Sequence, residues 1–224
     1  MNIYRIGIVD EDDNDIDYIK RTIIINKPKN ITEEQIDFWK APLPTDSCDS
    51  LDSIIKDLAR AITDEEIQTL IVDYKIVVRT KIFEGTEIFQ ELSQKLPKFP
   101  MIMLSNLSED CYSKEYVDAD KVYSKREFFK IESDYSKEKV ANIFRNMDKY
   151  TNIRAKLTTK LAEQLSQLET SGYSADSLRT IVETEKALDG FTLQNQNTVE
   201  KALNLDELRE AVNIIKKAQD LIGD

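Results

Sequence analysis

Apolar positions follow two rhythms along this chain. Ile3–Val9, "TLIVDY" (69–74), "FPMIMLSN" (99–106) and "DKVYSK" (120–125) are short and compact, and three of them read as continuous apolar runs. Such runs are expected of strands buried on both faces. A shorter strand lies within "QIDFWKAPLP" (35–44), where the prolines end it. Between the strands the spacing lengthens to three or four. Ile16, Tyr18, Ile19, Thr22 and Ile23 share one helical face, and Leu51, Ile54, Ile55, Leu58 and Ala61 share another. "GTEIFQELSQKL" (85–96) predicts a further helix, and "EDCYSKEYVDAD" is a poor one. Strand and helix in alternation predict an α/β fold: a doubly wound, five-stranded parallel sheet covered on both sides.

Near residue 136 the texture changes, which divides the chain into 1–135 and a helical C-terminal region, 136–224. Val140, Ile143, Phe144, Met147, Tyr150, Ile153, Leu157, Leu161, Leu165 and Leu168 step at three or four with no Gly or Pro among them. So long a pattern predicts one long helix of the coiled-coil or bundle type. "TSGYSADS" breaks it, Leu178, Ile181, Val182 and Leu188 mark a second helix, and Gly190 stops that one. Asn204 with Glu207 resembles a capping box for a third, carrying Leu205, Leu208, Val212, Ile215 and Ile222. The stripe from Ile153 to Leu168 is too apolar to stay bare, so it packs on the later helices of its own chain or on a second copy, and the length of the rod favours a homodimer through these helices.

Charge narrows the partners. The chain has 31 basic and 42 acidic residues, a net charge of −11. That sign opposes non-specific attraction to nucleic acid or anionic membranes. Residues 136–224 hold 13 basic and 14 acidic residues and no basic recognition helix, so DNA output is not expected. The beginning of the chain does not read as a signal peptide, no apolar run has transmembrane length, and two cysteines, Cys48 and Cys111, suit a reducing cytoplasm. Histidine is absent. Ser-His and Cys-His nucleophile pairs and imidazole-ligated zinc are thereby excluded. Carboxylate chemistry, an oxygen-ligated metal or pure binding remain.

The carboxyl ends of the strands carry the candidate chemistry, since ligands of such sheets bind there. The first strand ends in Asp10 and Glu11, "LIVDY" contains Asp73, "MIMLS" ends in Ser105 and "KVYSK" in Lys125. Taken alone, Asp10 to Asp13 read equally well as a helix N-terminus. Together, the set can do more. Carboxylates and a carbonyl can hold Mg²⁺, and a carboxylate can accept a phosphoryl group as an acyl phosphate. Lysine and a hydroxyl can stabilise the phosphoryl oxygens.

These residues, in this order, make residues 1–135 resemble the receiver domain of bacterial two-component response regulators. "IVDE" is similar to that family's acidic pair, "LIVDYKI" to its phosphoacceptor strand, and "EGTEIF" to its helix start at Gly85. "MIMLS" and "ADKVYSK" are similar to its hydroxyl and lysine strands. The resemblance implies a flavodoxin-like fold with Asp73 as phosphoacceptor, assisted by Lys125 and Ser105. It implies Mg²⁺ held by Asp10, Glu11, Asp73 and the backbone carbonyl of Lys75. It also implies a sensor histidine kinase or phosphotransfer protein as donor, and with the neutral tail an unidentified protein as output partner. Phosphoryl sink or relay, and a pseudo-receiver scaffold without phosphate turnover, are the alternatives. Departures from the family pattern fall on its reporting face. Arg126 stands where proline follows the lysine, Val122 where the switch aromatic sits, with Tyr123 one place on, and bulky Asn106 follows the hydroxyl. Extra residues lie around 25–50. A haloacid-type phosphohydrolase would need an acidic residue two places after the nucleophile, and Lys75 stands there.

Overall fold

The computed structural model describes residues 3–43, 51–78, 81–106, 118–171 and 174–192. The chain divides into two compact units, Met1–Lys156 and Leu157–Asp224; the sequence pattern alone divides it at 135/136.

In the first unit, β1 (Tyr4–Val9), β2 (Ile36–Lys40), β3 (Thr69–Asp73), β6 (Met101–Ser105) and β7 (Val122–Ser124) form a five-stranded sheet in the order β2-β1-β3-β6-β7. Every pairing is parallel. Ile6, Ile8, Val9, Leu70, Ile71, Val72, Met103 and Leu104 are all buried, which is why their strands read as unbroken apolar runs. Strand progression reverses between β1 and β3. A doubly wound sheet opens its ligand crevice at such a switch point, beside the carboxyl ends of the strands.

Helices cover both faces. On one, α1 (Asp13–Asn26) and the first turns of α4 (Asp134–Ser171) bring Ile16, Ile19, Ile23, Val140, Ile143, Phe144 and Met147 onto Ile6, Ile8, Ile71, Ile102, Leu104 and Tyr123. On the other, α2 (Leu51–Thr63) and α3 (Gly85–Lys95) bury Ile54, Leu58, Ile88, Phe89 and Leu92. The alternation of side chains along each strand sends Val9, Val72, Met103 and Val122 to that second face. Tyr18, predicted on the apolar stripe of α1, instead lies half exposed and stacks on Phe129, with ring centroids 5.3 Å apart. At their start, Asp12 caps α1 by accepting the Asn14 N–H at 2.8 Å.

One element has no counterpart in the sequence reading. Between β3 and α3 the chain forms an antiparallel pair, β4 (Lys75–Val78) and β5 (Lys81–Glu84), in register Lys75↔Glu84 to Val78↔Lys81. "KIVV" and "KIFE" are rich in strand formers, but no Gly, Asn or Pro separates them to signal a hairpin. Ile76 and Phe83 are buried, whereas Val77 and Ile82 are exposed.

The second unit contains the C-terminal part of α4 and α5 (Ala175–Leu188). Ser174 and Ser177 form a reciprocal capping box at the start of α5. Ile181, Leu188 and Phe191 are buried. Along the predicted stripe Leu168 is buried, Ile153, Leu157 and Leu161 are half-buried, and Leu165 is exposed. Both cysteines, the stretch 107–117 and the third predicted helix with Asn204 and Glu207 lie outside the described residues. No helix among the described residues is long and apolar enough to cross a membrane.

Candidate functional site

The ends of β1 and β3 each bring a carboxylate to one buried ammonium group, which itself follows β7. Asp10 follows β1 and is 2% exposed. Its Oδ1 accepts the Asp12 N–H at 2.9 Å, which turns the chain into α1. Asp73 closes β3, where Oδ2 accepts the Lys75 N–H at 3.1 Å. Between them stands Lys125, buried directly after β7. Its Nζ donates to Asp10 Oδ2 at 3.0 Å and to Asp73 Oδ1 at 2.7 Å.

The backbone around Lys125 is tied down on both sides. The Ser124 N–H donates to the Tyr135 hydroxyl at 2.9 Å. Lys125 opens a short helical turn, Lys125–Phe128, and the buried Ser136 hydroxyl lies 2.9 Å from the Phe128 carbonyl and 2.8 Å from that of Lys130. Arg126, exposed, takes the place of proline, and no described peptide bond is cis. On the other side of the crevice Gly85 is obligatory. A Cβ there would stand 2.0 Å from the Asp73 carbonyl oxygen, and the Gly85 N–H already donates to the Tyr74 carbonyl at 2.7 Å. Any side chain would push the end of β3, and the Asp73 carboxylate with it, out of place.

A third carboxylate completes the cluster, and the sequence reading missed it. Asp15, in the first turn of α1, places Oδ2 2.6 Å from Lys125 Nζ. Acids at helix starts are commonplace as dipole partners, which conceals one that reaches across to a lysine 110 residues away. The spacing Asp10 to Asp15 puts both carboxylates on the side of the turn that faces β7, a signal visible only once the turn geometry is known.

Burial, the largest influence on each, raises the Asp10 and Asp73 carboxyls above their ordinary range, against the pull of Lys125. Burial alone would lower Lys125, but its hydrogen bonds to Asp15 and Asp73 and the charges of Asp73 and Asp10 outweigh that and hold it above its ordinary value. The cluster therefore keeps a firmly charged ammonium.

Ser105 ends β6, buried, one position beyond Leu104, which pairs with Asp73. Asn106 is exposed. Lys75 opens β4 with its side chain exposed. Glu11 is half-buried, and its Oε2 is enclosed without a hydrogen-bond partner. Glu11 also lines an open cleft of about 510 Å³ with Lys40, Ala41, Pro42, Leu43, Val77 and Val78. Among the described residues no group of three or more acidic side chains is placed to hold a metal ion; Asp10, Asp15 and Asp73 meet instead at the Lys125 ammonium. The orphaned Glu11 Oε2 and the Asp73 carboxylate are the kind of donor that a hard, oxygen-seeking divalent ion takes.

Tyr123 follows strand parity. It is 2% exposed and sits in the apolar cluster under α1 and α4, its ring plane tilted against Phe128 and the Lys139 ammonium 5.1 Å from its centroid. It is a core aromatic, turned away from the crevice.

The sheet order, read along its own strands as 2-1-3-4-5, is that of the doubly wound, flavodoxin-like fold. No family model and no curated protein matches the chain. Among solved structures it is similar to the RcsB response regulator of Salmonella typhimurium, in a structure concerned with conformational dynamism for DNA interaction. Identity is 15%, the alignment covers 92% of this chain and 100% of that one, and the TM-score is 0.42. Strand order and parallel register show the fold of this chain directly.

Proposed function

We propose that this chain is a response-regulator-like signalling protein that accepts a phosphoryl group on Asp73 with the help of Mg²⁺ and signals through protein contacts rather than DNA. The observation that carries the reading is Asp73 at the switch point, with Lys125 Nζ 2.7 Å from its Oδ1. A phosphohistidine of a sensor kinase or phosphotransfer protein, or a small acyl phosphate, would be the donor. A carboxylate oxygen of Asp73 attacks phosphorus, the bond from phosphorus to the donor nitrogen or oxygen breaks, and the leaving group keeps the electron pair. Lys125 neutralises a phosphoryl oxygen, and the Ser105 hydroxyl donates a hydrogen bond to another. Glu11, Asp73 and the Lys75 carbonyl would hold Mg²⁺, with Asp10 acting through water; the ion would offset charge on the transferring oxygens. Beyond its own phosphorylation and dephosphorylation, no enzymatic activity is proposed.

The near-neutral composition of 136–224 supports protein rather than DNA output. A homodimer through these helices, in the cytoplasm, completes the reading; light scattering of Leu165→Glu against the unaltered chain tests the dimer. A pseudo-receiver is the second reading, favoured by the three carboxylates already on Lys125. Intact-mass measurement after incubation with acetyl phosphate and Mg²⁺ decides between them. A phosphoryl adduct that disappears in Asp73→Asn supports the proposal. No adduct, and no beryllofluoride complex, overturns it in favour of the scaffold.

A further inference from the structure

We infer that Asp15 is a counter-ion built into the resting site, one that competes with the incoming phosphoryl group for Lys125 and so limits how readily Asp73 is loaded. The inference rests on the proposed phosphoryl chemistry and concerns its regulation.

An ammonium has three donors. In this structure all three have carboxylate acceptors, Asp15 at 2.6 Å, Asp73 at 2.7 Å and Asp10 at 3.0 Å. Two of those acids belong to the crevice in any account of the chemistry. Asp15 does not: it comes from the first turn of α1 and reaches the site through Lys125. It is, however, the nearest of the three to the lysine.

Loading changes the charge balance. Asp73 alone carries one negative charge; the acyl phosphate that replaces it carries nearly two. Lys125 must then serve the phosphoryl oxygens while Asp10 and Asp15 remain close, and like charges at this range repel. Release of one carboxylate relieves the excess. Exposure decides which one. The Asp10 side chain is 2% exposed and that of Asp73 13%, whereas that of Asp15 is 30% exposed. Only Asp15 can turn into water without stranding a buried charge. Its place in the first turn of α1 helps, because a freed carboxylate there still faces the helix N-terminus. Loading therefore exchanges one partner of Lys125, Asp15, for a phosphoryl oxygen, and dephosphorylation reverses the exchange. Asp15 acts through Lys125 and is a positioning residue.

The test compares the full chain with Asp15→Asn, Asp15→Ala and Asp15→Glu, each first shown to keep the unaltered circular dichroism spectrum and a cooperative melt well above the assay temperature. Loading from acetyl phosphate with Mg²⁺ is followed by intact mass, and affinity for beryllofluoride, which involves no group transfer, by calorimetry. Asn and Ala variants should load roughly two- to fivefold faster and bind beryllofluoride tighter by a similar factor, the worth of a partly exposed ion pair. Glu should restore slow loading, which loss of mere packing would not predict. Equal or slower loading in both Asn and Ala variants, while the unaltered chain loads and Asp73→Asn does not, overturns the inference and leaves the proposed function standing. Loading only in the Asn and Ala variants supports the inference in its strongest form. If neither the unaltered chain nor any Asp15 variant loads or binds beryllofluoride, both readings fall.

Discussion

Tyr123 and Lys125 are two residues apart, both at most 5% exposed, and their surroundings are opposites. Tyr123 shares the apolar layer under α1 and α4 with Ile102, Leu104, Phe128 and Val140. Lys125 faces three carboxylates on the rim. Burial disfavours charge at both. On the apolar side it wins, and the Tyr123 phenol is pushed up to about 12 by burial first and by the nearby Tyr135, Asp120 and Glu138 second. On the rim the carboxylates outweigh it, and the ammonium persists. One face stores stability in shape, and the other holds charge ready for exchange.

Breaking the apolar side should cost most. Phe144, 1% exposed and edge-on to Tyr4 with centroids 5.0 Å apart, anchors α4 to the sheet. Phe144→Ala should destabilise the first unit by about 3–5 kcal/mol in urea unfolding. The fraction that stays folded should load phosphate at the unaltered rate. A lower rate per folded molecule would show that the two regions are coupled.

Breaking the rim should cost somewhat less in stability and everything in chemistry. Lys125→Met leaves Asp10 and Asp73 buried without their counter-ion. Such a loss costs roughly 3 kcal/mol when the orphaned charges cannot reach water. Partial exposure of Asp73 and Asp15 draws the expected value to about 2 kcal/mol. Phosphoryl loading should vanish. A variant of unchanged or greater stability would mean that the carboxylates are neutral at rest.

The smallest effect sharpens the contrast through pH. A phenol whose proton is held more tightly in the folded state contributes stability that is complete below the unfolded value of 10.0. That contribution is lost as pH rises through about 12. Tyr123→Phe should therefore match the unaltered protein within about 1 kcal/mol at pH 7, where the phenol is neutral in both states. Between pH 10 and 12 it should lose less stability, by up to about 2 kcal/mol. Parallel curves in the two proteins across that range would show the phenol to be solvated.

Periodicity along the chain was enough for much of this. Unbroken apolar runs marked β1, β3 and β6, because a strand covered on both faces cannot alternate, and three-to-four spacing marked α1, α2, α3 and α4, because each helix has one face to bury. Asp10, Asp73, Ser105 and Lys125 were legible as strand-end residues, since strand ends in a doubly wound sheet share one rim. Tyr123 stands one place past Val122, and strand parity turns its ring to the opposite face, whereas its burial in the core was decided by packing. What depended on folding is how these pieces meet. The hairpin of β4 and β5 carries no turn residues that mark it, so its pairing was settled by burial of Ile76 and Phe83. Gly85 reads as an ordinary helix start until the Asp73 carbonyl stands 2.0 Å from where its Cβ would be. Asp15 reads as one acid among five near a helix N-terminus. Only the crossing of α1 with the end of β7 brings it 2.6 Å from Lys125, because local spacing encodes which face a residue takes, whereas contact between distant segments is decided when the layers pack.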